Sequence, residues 1–391
     1  MVRSAFAVLV LALLTVTPAA AFHRKTDLLV QITGDGGGTI ANPHWAGFEY
    51  VLFDTDADLL GNGNSKRQVF LYDLQEHDLT GARAIYQMTT GDDDNRHGDS
   101  GMRAHEVVYD ARPGGIGARQ LFAVDRRSGT KRTITRGAAD SVNVDVDDSG
   151  RWAVFESSAD LLGSGGAPGT QIYRLDLRHS DPTCPFPCPS TGNFGLTRVT
   201  NKAGTSRNAV TSRHGTSIAF ESDADLLKSG VTGMQVYVFD ADGTLARLSA
   251  SPSHDATISR QGRVVAFESD DGAGGTQITL YNRLTSTAVA VTSVAGAHST
   301  RPSFEASSRS LVFTSTADLL HNGSTGTQVF RYDLRSGVLT QITDASAIGQ
   351  AAFAPGSFVT FVSTSDLVAN GSTGLDLYLV NLFKLGPATV P

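Results

Sequence analysis

The chain has 391 residues, 40% of them hydrophobic and 18% charged, with 41 glycines. Lys and Arg number 32 against 39 Asp and Glu, a formal net charge of −7, which argues against a nucleic-acid partner because phosphate-reading surfaces need clustered basic residues. The apolar content is too high for a disordered chain, and after the first residues no apolar run approaches the roughly 20 residues of a membrane span.

At the N-terminus Arg3 precedes an apolar run from Ala5 to Val16, which ends in Pro18-Ala19-Ala20-Ala21. A basic start, an apolar stretch and a small-residue end read as a cleavable secretory signal over residues 1–21. The alternative, a membrane anchor, would be short for a bilayer. The expected mature chain is a single domain, 22–391, in the periplasm or outside the cell, where disulfides survive.

From there the sequence repeats. An aromatic landmark recurs at Phe53, Tyr109, Phe155, Phe220, Phe267, Phe313 and Phe361, in steps of 56, 46, 65, 47, 46 and 48 residues. A second landmark follows each: Gln68, Gln120, Gln171, Gln235, Gln277 and Gln328, with Asp376 in the last unit. Runs such as Gln68-Val-Phe-Leu-Tyr-Asp-Leu74 alternate with period two between Gly, Asn, Asp and Ser clusters, so they read as strands. No sustained helical period is present. Four short strands every 45 to 50 residues or so make a propeller blade. The fold class expected is all-β, a seven-bladed β-propeller of four-stranded blades. The last unit lacks a fourth strand, and Leu28-Leu-Val-Gln-Ile-Thr33 copies Leu339-Thr-Gln-Ile-Thr343, so the N-terminal strand is expected to complete the last blade.

These units resemble TolB-type, WD-like propeller repeats, best seen at Gln171-Ile-Tyr-Arg-Leu-Asp176, Asn208-Ala-Val-Thr-Ser-Arg-His-Gly215 and Arg301-Pro-Ser-Phe-Glu-Ala-Ser-Ser308. The resemblance covers nearly the whole mature chain and implies the propeller fold without the N-terminal α/β domain of TolB. It says little about activity, since propellers host many.

An Ala-Asp-Leu-Leu step supplies Asp58, Asp160, Asp225 and Asp318, with Asp366 in a variant. Each Asp is expected to accept backbone N–H groups in a turn. Calcium is weighed at Asp54-x-Asp56-x-Asp58 and set aside, because Leu59 stands where a calcium loop needs Gly and no bidentate Glu follows. No cofactor and no metal site are expected, since no histidine pair shows ligand spacing. No nucleophile elbow, His-Glu-x-x-His or phosphate loop is present, so no catalytic residue is named.

Between Arg178 and Gly195 lies an insertion with Pro182, Pro185, Pro187 and Pro189. Cys184 and Cys188, the two cysteines of the chain, read as a local disulfide at its tip, and Phe186 between them as a contact residue. The other candidate surface is the mouth of the axial channel. Counting back from each aromatic landmark gives Asn42, His97, Asn143, Asn208, Asp255 and Arg301, with Gly349 in the last unit. Mouth loops are polar because they are wet, yet such a ring could also hold a peptide end or small polar ligand.

The leading expectation is an exported, non-enzymatic propeller that binds a protein or peptide partner in the envelope or outside the cell. The alternative is a propeller enzyme, of polysaccharide lyase or glycoside hydrolase type, acting at the channel mouth. Neighbouring carboxylates flanking a cleft there would favour the enzyme.

Overall fold

The computed structural model describes residues 28–34, 38–47, 49–81, 84–179, 195–305, 307–344, 348–354 (backbone only) and 358–385. Residues 1–21, Cys184, Phe186 and Cys188 lie outside the described residues, and with them the signal, the disulfide and the loop contact.

The described chain is built from strands, with two short α-helices, Leu74–Thr80 and Leu382–Leu385, and two single-turn 3-10 helices, Pro113–Gly115 and Leu177–His179. Five antiparallel sheets have four strands each and a sixth has eight. The pattern is plain in the sheet made of Ile40–Ala46, Tyr50–Thr55, Gln68–Asp73 and Ile85–Gln87, where each strand pairs with the next. The same meander runs from Asp94 to Thr133, from Ser253 to Ala290 and from Ser299 to Gln341. The eight-stranded sheet is two further meanders, from Ser141 to Arg198 and from Gly204 to Arg247. Only a short parallel contact of Gly169 and Thr170 with Gly204 and Thr205 joins them.

The last sheet takes strands from both ends of the chain. Ile348–Ala354, Phe358–Ser363 and Asp376–Asn381 are completed by Leu29–Gln31, which sets Leu29 opposite Val380 and Gln31 opposite Tyr378. The first strands of the meanders neighbour one another in chain order, and Ile40–Ala46 lies beside Ile348–Ala354. Apolar cores fill the gaps between sheets. One packs Trp45, Phe53 and Phe70 against Phe358, Leu377 and Leu379, from opposite ends of the sequence.

The landmarks explain how these sheets repeat. The aromatic of the second strand stacks on an aromatic of the third, as in Phe53–Phe70, Phe155–Tyr173 and Phe361–Tyr378, with ring centroids 5.7–5.8 Å apart. The buried Gln that opens the third strand ties it to the segment leading to the next sheet. Gln120 donates to the carbonyls of Gly137 and Ala139, and Gln277 to those of Val294 and Ala297. The next backbone N–H donates to a Thr or Ser hydroxyl beyond the outer strand: Leu121 to Thr135, Ile172 to Thr200, Val329 to Thr343. Leu377 does the same to Thr33, so the N-terminal strand occupies the outer-strand place in the last sheet.

One local feature was not visible as periodicity. Helix Leu74–Thr80 follows the third strand because Asp73 caps it, accepting from Glu76 N at 2.9 Å, and Gly81 ends it at φ 69°. Seven residues are too few for an amphipathic pattern to show.

Candidate functional site

Each first strand carries a bulge near one end, seen as a register shift such as that between Ala41 and His44 or between Arg96 and Asp99. A bulge re-aims side chains by admitting an extra residue. Here that residue adopts positive φ: Asn42 52°, His97 50°, Asn143 53°, Asn208 51°, Asp255 47° and Arg301 55°. Asn, Asp and His tolerate this region better than most residues, and Arg301 pays steric strain to occupy it. All six line one cavity of about 570 Å³, walled by the first strands. Gly349 falls in the strand Ile348–Ala354 and is described by its backbone alone.

Most of these side chains are hydrogen-bonded to a buried acid that the sequence reading passed over. It is the residue directly after the aromatic landmark: Asp54, Asp110, Glu156, Glu221 or Glu268. Asn42 donates to Asp54 at 2.6 Å, Asn143 to Glu156 at 2.9 Å, and Asn208 to Glu221; His97 Nδ1 lies 2.5 Å from Asp110. The same carboxylates also accept the bulge N–H of the following sheet. His97 N donates to Asp54, Asn208 N to Glu156 and Arg301 N to Glu268. Asp54, Asp110 and Glu156 thus each pin one positive-φ residue by its side chain and the next by its backbone.

Two positions further along three of these strands stand His44, Asp99 and Asp145. The equivalent positions in the next three sheets, Val210, Thr257 and Ser303, carry no charge, so the cavity wall is chemically lopsided. His44 Nε2 sits 2.7 Å from Asp99 Oδ1. Asp99 is nearly buried and also accepts Ser100 N at 2.6 Å and Val146 N at 2.5 Å, which fixes its orientation. Asp145 accepts Thr211 N at 2.7 Å. Burial works against charge on His44, but the charge of Asp99 and the hydrogen bond to it prevail and hold the imidazolium up to about pKa 9. Burial, reinforced by the charge of Asp99, raises the Asp145 carboxyl above the ordinary range.

At the opposite end from the bulges, Arg260 reaches over to Asp148 and sets Nη2 2.9 Å from Met102 Sδ, while Arg213 lies 3.8 Å from Asp148. Beside the bulges a second titratable group gathers, made of His254, Asp255 and Glu268. Their ligand atoms all lie within 4.8 Å of one another. The neighbouring carboxylates of Asp255 and Glu268 raise His254, and burial raises Glu268.

Neither set was found from sequence spacing, although both carried a signal. The count that reached Asn42, His97 and Asn143 reaches His44, Asp99 and Asp145 when moved on by two, the strand period. The buried acids sit next to every landmark that was counted except Phe313 and Phe361.

No protein-family model and no curated protein matches the sequence. Solved structures do. An oligogalacturonate lyase in complex with manganese aligns at TM-score 0.61 and 12% identity, covering 90% of this chain and 93% of its own. The oligogalacturonate lyase of Vibrio parahaemolyticus aligns at TM-score 0.63 and 11% identity, with 90% and 93% covered. The β-propeller domain of the trilobed protease from Pyrococcus furiosus, with an open velcro topology, aligns at TM-score 0.61 and 10% identity, covering 88% and 93%. At such identity the likeness shows the fold, and that fold is a β-propeller, as the repeats implied.

The leading functional expectation is corrected here. The solved chains that superpose on nearly all of this one include two lyases, and beside the expected ring of mixed donors and acceptors the cavity holds clustered acid and base groups. These observations favour the enzyme alternative over a non-enzymatic binder of protein or peptide.

Proposed function

We propose that this chain is an exported propeller enzyme that cleaves an acidic polysaccharide by β-elimination inside the axial cavity. The observation that carries the reading is the set His44, Asp99 and Asp145, three titratable groups on adjacent strands in one concave site, with protonation shifted by burial and by each other. Seven blades are supported by the order of the neighbouring first strands and by the outer-strand place of Leu29–Gln31. Export rests on the reading of residues 1–21, with 22–391 as the propeller.

Elimination removes a proton from the carbon next to a uronate carboxylate. The C–H electron pair becomes a carbon–carbon double bond, and the glycosidic oxygen leaves from the neighbouring carbon. In the fraction of molecules in which it is neutral, which grows as pH approaches about 9, His44 takes that proton on Nδ1, because Nε2 faces Asp99. Asp99 holds the ring in place and stabilises the imidazolium that forms. Asp145, which keeps its proton to higher pH than a free carboxylic acid, gives it to the leaving oxygen. Arg213, which lines the same cavity, offsets the substrate carboxylate.

One related lyase holds manganese. In this chain His254, Asp255 and Glu268 are the residues with the donors for such a cation, which would supply positive charge toward a uronate.

The test is to incubate the protein with uronate oligosaccharides and follow both new reducing ends and the ultraviolet absorbance of unsaturated products. Both should appear together, and His44→Ala or Asp145→Asn should lower the rate ~100-fold or more with the fold retained by circular dichroism. Reducing ends without absorbance would mean hydrolysis and defeat elimination. Neither signal on any acidic polymer would defeat the enzyme reading.

A further inference from the structure

We infer that the bulge end of the cavity is a binding site for one divalent cation of manganese type, held by His254, Asp255 and Glu268 with Glu221 beside them. The inference rests on a break in the pattern of the buried acids and does not depend on the catalytic reading. Elsewhere the bulge position presents a hydrogen-bond donor to its acid. Asn42 serves Asp54, His97 serves Asp110, Asn143 serves Glu156 and Asn208 serves Glu221. In the fifth unit the bulge residue is Asp255, itself an acceptor, and it faces Glu268 of its own sheet and Glu221 of the previous one. Two carboxylates meet in this sheet, with Glu221 of the previous sheet beside them, where the first, third and fourth units place one carboxylate and one amide.

A neighbouring imidazole does not resolve this. His254 is the cross-strand partner of Glu268, and its Nδ1 lies 3.4 Å from Glu268 Oε2 and 3.9 Å from Asp255 Oδ2. Charge-assisted hydrogen bonds are shorter, about 2.7–2.9 Å. Ligand bonds of about 2.0–2.6 Å around one cation set donor atoms roughly 3–5 Å apart, which is the spacing here.

The independent observation is Glu221. It is fully buried, and its Oε1 shares the Asn208 amide with Asp255 Oδ1 and lies 3.4 Å from Arg207 Nε, yet its Oε2 has no hydrogen-bond partner. A buried carboxylate oxygen without a partner is costly, and an ion or an ordered water would offset that cost. Two carboxylates and one imidazole suit manganese better than calcium or magnesium, which prefer all-oxygen shells. Sequence spacing hid the site because its ligands come from two strands of a hairpin and from the preceding sheet.

The experiment titrates Mn²⁺ into metal-stripped full-length protein, reading free Mn²⁺ by electron paramagnetic resonance and the melting temperature in parallel. One saturable site per chain and a rise in Tm are expected. Asp255→Asn installs the residue that three other units carry at this place, so it should fold, and its affinity should fall at least tenfold. Glu221→Gln should weaken binding too, whereas Asp225→Asn, in an exposed turn, should not. His44→Ala should still bind Mn²⁺, which separates this site from the catalytic reading. No saturable binding by the wild-type protein, or undiminished binding by folded Asp255→Asn and Glu221→Gln, would overturn the inference.

Discussion

Glu156 shows what a single carboxylate does in this fold. It is nearly buried, it accepts Asn143 Nδ2 at 2.9 Å within its own sheet, and it accepts Asn208 N at 2.6 Å from the next. Truncation to Ala leaves a side-chain amide and a strained backbone N–H without their acceptor, and each orphaned group costs about 1–3 kcal/mol. Glu156→Ala should therefore lower stability by ~3 kcal/mol in urea unfolding, and Glu156→Gln, which keeps one acceptor oxygen, by less. Equal stability of wild type and Glu156→Ala would show that the acid ring does not join the sheets. His44 gives the opposite kind of residue effect. Its folded pKa of about 9 lies above the ordinary histidine value of 6.5, so the folded state binds the proton more tightly. The stabilisation is complete below about pH 6.5 and is lost as pH rises through about 9. Asp145, also raised, acts in the same direction. Melting temperature should fall across that window, and the slope should flatten in His44→Gln. A wild-type profile that rises there would mean that the His44–Asp99 pair is not formed in solution.

Strands and turns were more legible than the groups they carry. The aromatic landmark marks the second strand because it must stack on the third, and Gln marks the third because its amide has to satisfy carbonyls at the sheet edge. Those needs repeat in most units, so they leave a repeat in the sequence. The turn acids follow the same logic. Asp58 accepts Asn62 N and Gly63 N, Asp318 accepts Asn322 N and Gly323 N, and Asp366 accepts Asn370 N and Gly371 N, always four and five residues on. That arrangement uses the carboxylates on backbone and fits a turn rather than a calcium loop. Helix Leu74–Thr80 escaped because it is needed in one unit and has only a cap to announce it. The site escaped for a stronger reason. His44, Asp99 and Asp145 are 55 and 46 residues apart in sequence and meet only because adjacent sheets set equivalent positions side by side. The candidate site lies in departures from the repeat, and a reading that averages units removes departures. Asp255 is the clearest case, since it was counted as one more polar mouth residue when its weight lay in not being Asn.

At the scale of the molecule, the strand Leu29–Gln31 joins the two ends of the chain, and its removal tests how the whole ring is held. Asn381 N donates to Leu28 O at 2.9 Å and Ile32 N to Leu377 O at 2.7 Å, while Thr33 Oγ1 accepts Leu377 N at 2.8 Å. Ile32 is fully buried in the core that also holds Phe53, Phe70 and Leu377, so this short strand touches the first and the last sheet at once. Its loss would uncover Asp376–Asn381, every residue of which is buried, and present that strand as an open edge. Burial of one Ile is worth about 1.5–3 kcal/mol, and each hydrogen bond adds about 1 kcal/mol. A chain starting at Gly38 should therefore lose ~5 kcal/mol, much of the stability of an ordinary domain. It should melt at lower temperature and self-associate through the bare strand. Adding a peptide of residues 27–34 should restore both the melting temperature and the monomer, because the strand makes its contacts without needing the covalent link. If the truncated chain melts like the full one, the ring is held by its sheet-to-sheet cores alone. If it is destabilised but the peptide does not rescue it, the strand needs its covalent link to the rest of the chain.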